Sequence, residues 1–391
     1  MGSSFAKLLA RDPATDAQSS RRTLLALGPQ LRRRRKSIYG TNGIVKETMM
    51  VAPLSTVGCK SQAGIEIKGD STEGTLKVNQ DRGVVQYPFG PGFGLFGVFD
   101  GHGASGHAAA EFCITRLPTT LSNTLRTDNA GNALKQAFLT VDAEMAQADM
   151  DVSLSGATAV ACLIRNQHMT IAHCGDSRVV VIRRAKPLGA VWTAAMSIRD
   201  AMKLTRSSKS SVSGRTSGTL FTSPSQPRNT STQNRASFRL KARSLTQDHT
   251  PEHPAEKARL VAMGVQIHAA DKTTAARVLF DGYGLAMTRS LGDHIGAAKA
   301  GVIPDPEVTE YDIEDEDYCL VIASDGVWEM CTGQDVADVV ASVPDGDAQA
   351  IADAIEKRSS ERWFMEEKGD YRDDTTVIVI RTPNWNDSAS V

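Results

Sequence analysis

Carboxylates that end apolar runs are the residues of this chain best suited to chemistry. Residues 93–106 read FGLFGVFDGHGASG, in which Leu95, Phe96, Val98 and Phe99 give way abruptly to Asp100, Gly101, His102 and Gly103. A short apolar run bounded by glycines reads as a buried strand. Here the strand delivers a carboxylate, a permissive backbone and an imidazole to one edge of the core. An Asp-Gly pair alone marks a turn; its recurrence is what points to chemistry. The device returns at Asp176 after TIAHCG, at Asp325 after CLVIAS and, in reverse order, at Asp373 before TTVIVI. Carboxylates at the rim of a core do not stay unpaired, so if these four converge they require bound cations. Oxygen donors without a Cys or His cluster favour Mg2+ or Mn2+. A water between two such ions loses a proton readily and becomes a nucleophile for in-line attack on phosphorus. That is the chemistry of a phosphoester hydrolase without a covalent intermediate.

Periodicity supplies the elements that must position these groups. Residues 62–87 alternate enough for strands and contain Lys77-Val78-Asn79-Gln80-Asp81-Arg82. After the strand that ends at Asp100, Ser105 is placed to cap a helix with Ala109, Phe112 and Cys113 on its apolar face, expected to stop near Pro118. Leu134, Phe138, Val141 and Met145 hold one face of a second helix. Residues 155–164, 169–174 and 178–182 read as three strands with two hairpin-like connections, which implies antiparallel neighbours. Further on come a helix over 254–263 ended by Gly264, a strand over 318–323, helical patterns around 336–340 and 351–363, and a last strand over 375–380.

Composition narrows the function classes. Lys and Arg total 44 against 45 Asp and Glu, so the molecule has no nucleic-acid-like charge. Basic residues concentrate in the first forty positions and in 196–243, which leaves the rest acidic and suited to gathering cations. Cys59, Cys113, Cys162, Cys174, Cys319 and Cys331 show no C-x-x-C spacing and read as buried apolar residues in a reducing compartment, the cytoplasm or nucleus. No apolar run approaches membrane-span length, and no secretory signal is evident. Met1-Gly2-Ser3-Ser4-Phe5-Ala6 begins like a myristoylation signal but has Ala6 where Ser or Thr is wanted. Membrane contact is therefore expected only if the N-terminus is acylated.

The order of motifs resembles the metal-dependent serine/threonine protein phosphatases of the type 2C family. The matching stretches are 77–81, FGVFDGHG (96–103), SGATA (155–159), GDSR (175–178), LTQDH (245–249), GLAMTRSLGD (284–293), ASDGVWEM (323–330) and DDTTVIV (373–379). The resemblance implies an α+β fold, a four-layer α-β-β-α sandwich with two central antiparallel sheets flanked by helices. It implies a phosphatase domain over 55–382, interrupted at 195–243 by a basic, Ser/Thr-rich disordered insertion, with a basic N-terminal tail over 1–54 and a C-terminal tail over 383–391. Asp100, Asp325 and Asp373 look like the carboxylates of one metal, with Asp100 bridging to a second that the Gly101 carbonyl joins. Asp176, with Asp325 and Glu329, looks like a weaker third site. His102 resembles the general acid that protonates the leaving alkoxide, and Lys77 takes the place of the family's phosphate-binding arginine. Many members have Glu before the Asp of the first motif, ligating the second metal through water; here Gln80 stands there, leaving Asp81 as the charged outer group. The implied cofactors are two Mg2+ or Mn2+ ions, the implied partners phosphorylated proteins, and the expected state a monomer.

Rival readings are weaker. A cysteine-dependent phosphatase needs Arg six positions after its Cys, but Val180 follows Cys174 at that distance and Arg178 falls two short. The His-rich signatures of other metal phosphatases are absent, and a two-metal nuclease lacks a basic groove in the folded core. A pseudophosphatase acting as a binding module has only Gln80 in its favour.

Overall fold

The computed structural model describes residues 38–40, 43–48, 56–67, 75–90, 92–185, 239–271, 274–343 and 346–382. The N-terminal tail (1–54), the insertion (195–243) and the C-terminal tail (383–391) expected from the sequence fall largely outside the described residues. Backbone contacts divide the chain into two units, residues 1–183 with 241–391, and residues 184–240. Within the second, the Ala185 N–H donates to the Arg239 carbonyl at 2.8 Å.

Alternating apolar residues build the centre of the first unit. In order, the main strands are β1 (Ile38–Gly40), β2 (Gly43–Thr48), β3 (Val57–Gln62), β4 (Asp81–Phe89), β5 (Phe93–His102), β6 (Gly156–Arg165), β7 (His168–Cys174), β8 (Arg178–Arg184), β9 (Leu240–Ser244), β10 (Gln266–His268), β11 (Arg277–Phe280), β12 (Tyr283–Leu285), β13 (Glu307–Asp312), β14 (Asp317–Ala323) and β15 (Thr375–Arg381). One sheet runs β1-β2-β4-β5-β6-β7-β13 and the other β9-β8-β14-β15-β3. The registered pairs of both are antiparallel except β2 with β4, which is parallel.

The faces of β5 show why the sheets stack. Leu95 and Phe99 point into a cluster with the helices α1 (Gly106–Thr124) and α2 (Ala130–Met145). Phe96 and Val98, on the other face, pack with Ile322, Ile378 and Ile380 of the second sheet. A strand buried on both faces reads as a nearly continuous apolar run, as this one does. Beyond the second sheet lie α6 (Gly333–Ser342) and α7 (Ala348–Glu366), preceded by α3 (Pro254–Ala262), α4 (His294–Ala300) and the one-turn α5 (Asp325–Trp328). The start of α7 comes so close to β3 that a Cβ on Gly58 would lie 2.2 Å from the Ala348 backbone. The four layers are thus helices, sheet, sheet, helices, the α+β sandwich implied by the motifs.

Two expectations are corrected. The helix after β5 does not stop near Pro118 but runs through it to Thr124. Proline inside a helix costs about 3 kcal/mol, and burial of Ile114, Leu117 and Leu121 on the inner face, at about 1.5–3 kcal/mol for each such side chain, outweighs it. Ser105 holds the N-cap position, though its side chain makes no capping bond. The second correction concerns β8, which does not return beside β7. It crosses into the other sheet and pairs with β14, Arg178 opposite Ala323. Local sequence fixes a reversal at 175–177 but not the sheet that receives the next strand.

Candidate active site

The crossing between sheets, the register of β4 on β5 and the start of β15 bring the sequence-marked acids together. Asp81 and Asp100 are cross-strand partners. Asp325 opens α5 directly after β14, and Asp373 precedes β15, whose Val377 pairs with Ala323. Asp176 lies in the link between β7 and β8. Two glycines permit the closeness. A Cβ on Gly101 would lie 2.2 Å from the Gly106 carbonyl oxygen and 2.8 Å from that of Gln80, and one on Gly326 would lie 1.9 Å from the Asp374 carbonyl oxygen.

Charge repulsion is the dominant property of this group. Asp100 and Asp325 raise the cost of ionising one another, so the two do not both stay charged without a cation beside them. Burial, then Asp325 and Asp81, holds the Asp100 carboxyl well above the usual range. Burial, then Asp373, Asp176 and Glu329, does the same to Asp325. Glu329 is pushed up to about 7 by burial, Asp373 and Asp176. Asp176 rises to about 6 through burial and Asp248. Asp81 rises to about 7 through burial and Asp374, although Ser324 Oγ donates to its Oδ2 at 2.7 Å. Asp81 Oδ1 and Asp176 Oδ1 are buried without a hydrogen-bond partner.

The other sequence-marked residues take defined places. Lys77 Nζ donates to Asp373 Oδ1 at 2.6 Å and to the Tyr371 hydroxyl at 3.1 Å. Burial opposes its charge, but Asp373 prevails and raises its pKa. Gln80 turns its Nε2 to the Gly103 carbonyl at 2.8 Å, while its own N–H donates to Asp374 at 2.9 Å. His102 Nε2 meets Asp293 Oδ2 at 2.6 Å, and Nδ1 is buried without a partner.

Periodicity alone passed over Asp293, Asp374, Ser324 and Tyr371. Asp293 is 1% exposed, receives the Ser290 hydroxyl at 2.5 Å, and lies 191 positions from the histidine it touches. Its presence in GLAMTRSLGD was the available signal. Asp374 accepts from Gly64 N–H at 2.6 Å and ties the first-motif loop to β15. The acids open onto a cavity of about 780 Å³ whose lining includes His102, Asp293, Asp325, Glu329 and Asp373.

A separate group comprises His173, His249 and Glu307, with one donor atom of each within 4.8 Å of the others. Gly175 N–H donates to His249 Nδ1 at 3.2 Å, which places the ring proton on Nε2, facing Glu307 at 3.6 Å. The two rings stack at 4.4 Å with planes 15° apart. Lone pairs in nearly parallel planes do not converge on one centre, so the group suits two stacked imidazoles packed beside Glu307 better than a cation. His173 Nδ1 and His249 Nε2 are left without hydrogen-bond partners among the described residues.

Comparison with known proteins agrees with this geometry. The family profile described as protein phosphatase 2C matches residues 88–196 and 231–362, together more than half of the chain. The chain belongs to the protein phosphatase 2C family. It is 28% identical to "Probable protein phosphatase 2C 72" of Arabidopsis thaliana over 80% of this chain and 84% of that one. It is 26% identical to "Probable protein phosphatase 2C 48" of Oryza sativa subsp. japonica over 91% and 95%. Among solved structures, the serine-threonine phosphatase 2C from Toxoplasma gondii aligns at a TM-score of 0.57 and 16% identity, over 83% of this chain and 94% of that one. A C. elegans sex determining protein aligns at 0.60 and 18%, over 96% and 73%. This phosphatase is therefore a serine/threonine protein phosphatase by family. Lys77, Gln80, Asp81 and Asp373 lie outside the profile-matched segments, yet strand pairing and side-chain contacts bring them to the matched Asp100 and Asp325.

Proposed function

We propose that this protein removes phosphate from phosphoserine and phosphothreonine in proteins, using two Mg2+ or Mn2+ ions bound by the converging acids. The observation that carries the reading is the convergence of the acids: Asp81 and Asp100 are cross-strand partners, and Asp325, Glu329 and Asp373 line one cavity with His102, the neighbour of Asp100 and Gly101. Buried Asp81 Oδ1 and Asp176 Oδ1 have no hydrogen-bond partner, and the donors are all oxygens, so the residues fit hard divalent cations. Asp100, Asp325 and Asp373, with the Gly101 carbonyl, would hold the pair; Asp176, Asp325 and Glu329 would hold a weaker third ion. Such ions supply an acidified water as nucleophile and neutralise the phosphoryl oxygens.

The chain's own groups do the rest. His102, held through Nε2 by Asp293, has Nδ1 free to give a proton to the departing Ser or Thr oxygen. Lys77 offsets the charge of Asp373 at the cavity edge, and Asp81 and Gln80 stand behind Asp100 as outer hydrogen-bonding groups. The same reading takes 55–382 as the phosphatase domain interrupted at 195–243, acting as a monomer in the cytoplasm or nucleus. Six free, buried cysteines support a reducing compartment. Among the described residues no helix is long and apolar enough to cross a membrane.

The test is hydrolysis of a phosphothreonine peptide with Mn2+, with and without chelator, beside the Asp325→Asn variant. Chelator-sensitive turnover well above that of the variant is expected. Equal rates in all three would overturn the reading.

A further inference from the structure

The cavity beside the acids is larger than a phosphoryl group requires. Its roughly 780 Å³ falls in the range of about 300–1,000 Å³ typical of sites that enclose a whole small ligand. One side is acidic. Apolar side chains also line it: Leu154, Tyr283, Leu285 and Met287, with Arg277 donating to the Gly284 carbonyl at 3.2 Å beside them. Tyr283, Leu285 and the residues before them belong to or border a small three-stranded sheet, β10-β11-β12, outside the two central ones.

The sheet holds Tyr283 in a defined place. β11 and β12 pair antiparallel, with Phe280 opposite Tyr283 across the two-residue turn Asp281–Gly282. Both turn residues have positive φ, 47° and 84°, the conformation that closes a tight hairpin. Phe280 is 8% exposed and packs with Leu260, Val278, Ala300 and Val302. Its ring centre lies 6.1 Å from that of Tyr283, which is 53% exposed. A buried Phe thus backs an open Tyr on the wall of the reaction cavity. Aromatic side chains with few rotamers offer contact area at little entropic cost.

We infer that Tyr283 is a specificity-determining residue, forming an apolar subsite that favours phosphopeptides with a bulky aliphatic or aromatic side chain next to the phosphorylated residue. The inference rests on the protein-phosphatase reading above and adds the substrate class. Contact with Tyr283 and the adjoining Leu154, Leu285 and Met287 removes the flanking side chain from water, an effect proportional to the apolar area covered.

The experiment compares kcat/KM, with Mn2+, for two phosphothreonine peptides differing only in the residues on either side of the phosphothreonine, leucine in one and serine in the other. The wild type is expected to favour the leucine peptide about tenfold, equivalent to about 1.4 kcal/mol, with the difference mainly in KM. Tyr283→Ser should bring the ratio near one, and Tyr283→Phe should keep it. Leu279→Ser, a half-exposed position on the same hairpin that does not line the cavity, should also keep it. A wild-type ratio near one, or a ratio that survives Tyr283→Ser, overturns the inference while leaving the phosphatase reading intact. Failure of the wild type to hydrolyse either peptide overturns both.

Discussion

Replacing Asp293 by Asn should separate proton delivery from the rest of the reaction. The Asp293 carboxylate is almost wholly buried and meets His102 Nε2 at 2.6 Å. An amide of the same shape can keep the Ser290 hydroxyl as a donor but loses the charge that holds the imidazole. Hydrogen bonds to charged groups contribute about 1.5–3 kcal/mol, and each 1.36 kcal/mol is tenfold in rate, so turnover limited by protonation of the leaving oxygen should fall about 10- to 150-fold. That limit applies to a phosphothreonine peptide, whose leaving alkoxide is a strong base. It does not apply to p-nitrophenyl phosphate, whose phenolate leaves without a proton, and there the loss should stay within about threefold. Steady-state rates on both substrates, for Asp293→Asn, His102→Gln and the double variant, decide the matter. The double variant should be no slower than His102→Gln alone, because Asp293 acts through His102. Equal losses on the two substrates, or additive losses in the double variant, would refute the positioning role.

Three further outcomes follow from the geometry. His249 is buried and neutral, its pKa lowered from 6.5 to about 2 by burial and then by His173 and Arg289. Below 6.5 the unfolded chain takes up a proton that the native one refuses, so stability is full above that pH and falls as pH drops; by pH 5 the loss is about 2 kcal/mol. Between pH 7 and 5, denaturant titrations should show wild-type stability changing about 2 kcal/mol less favourably than that of His249→Asn, a difference that cancels the shared contribution of the active-site acids. Gly326→Ala should destabilise by about 3 kcal/mol or more, since its Cβ would sit 1.9 Å from the Asp374 carbonyl oxygen, and thermal unfolding would register it. Excising 186–238 and joining Ala185 to Arg239 through an Asn-Gly turn should leave p-nitrophenyl phosphate hydrolysis within about twofold, because the two ends are already hydrogen-bonded at 2.8 Å; loss of folding would show that the segment belongs to the domain.

The sequence alone determined the local elements and the residue types at their ends. Apolar runs became β5, β6, β7, β14 and β15, and Leu134, Phe138, Val141 and Met145 all face inward from α2. Motif order also carried the family. Local pattern reaches only a few residues, and this is why Pro118 reads as a stop although burial of the neighbouring face carries the helix past it. For the same reason the turn after Cys174 was legible but its destination was not, since a reversal looks alike whether the next strand joins the same sheet or the facing one. Tertiary structure alone decided which acids meet, that Lys77 lies on Asp373, and that Asp293 holds His102 from 191 positions away. Those pairings depend on the register of strands distant in sequence and on how two sheets stack, and both are set by burial of the whole core rather than by any neighbour along the chain.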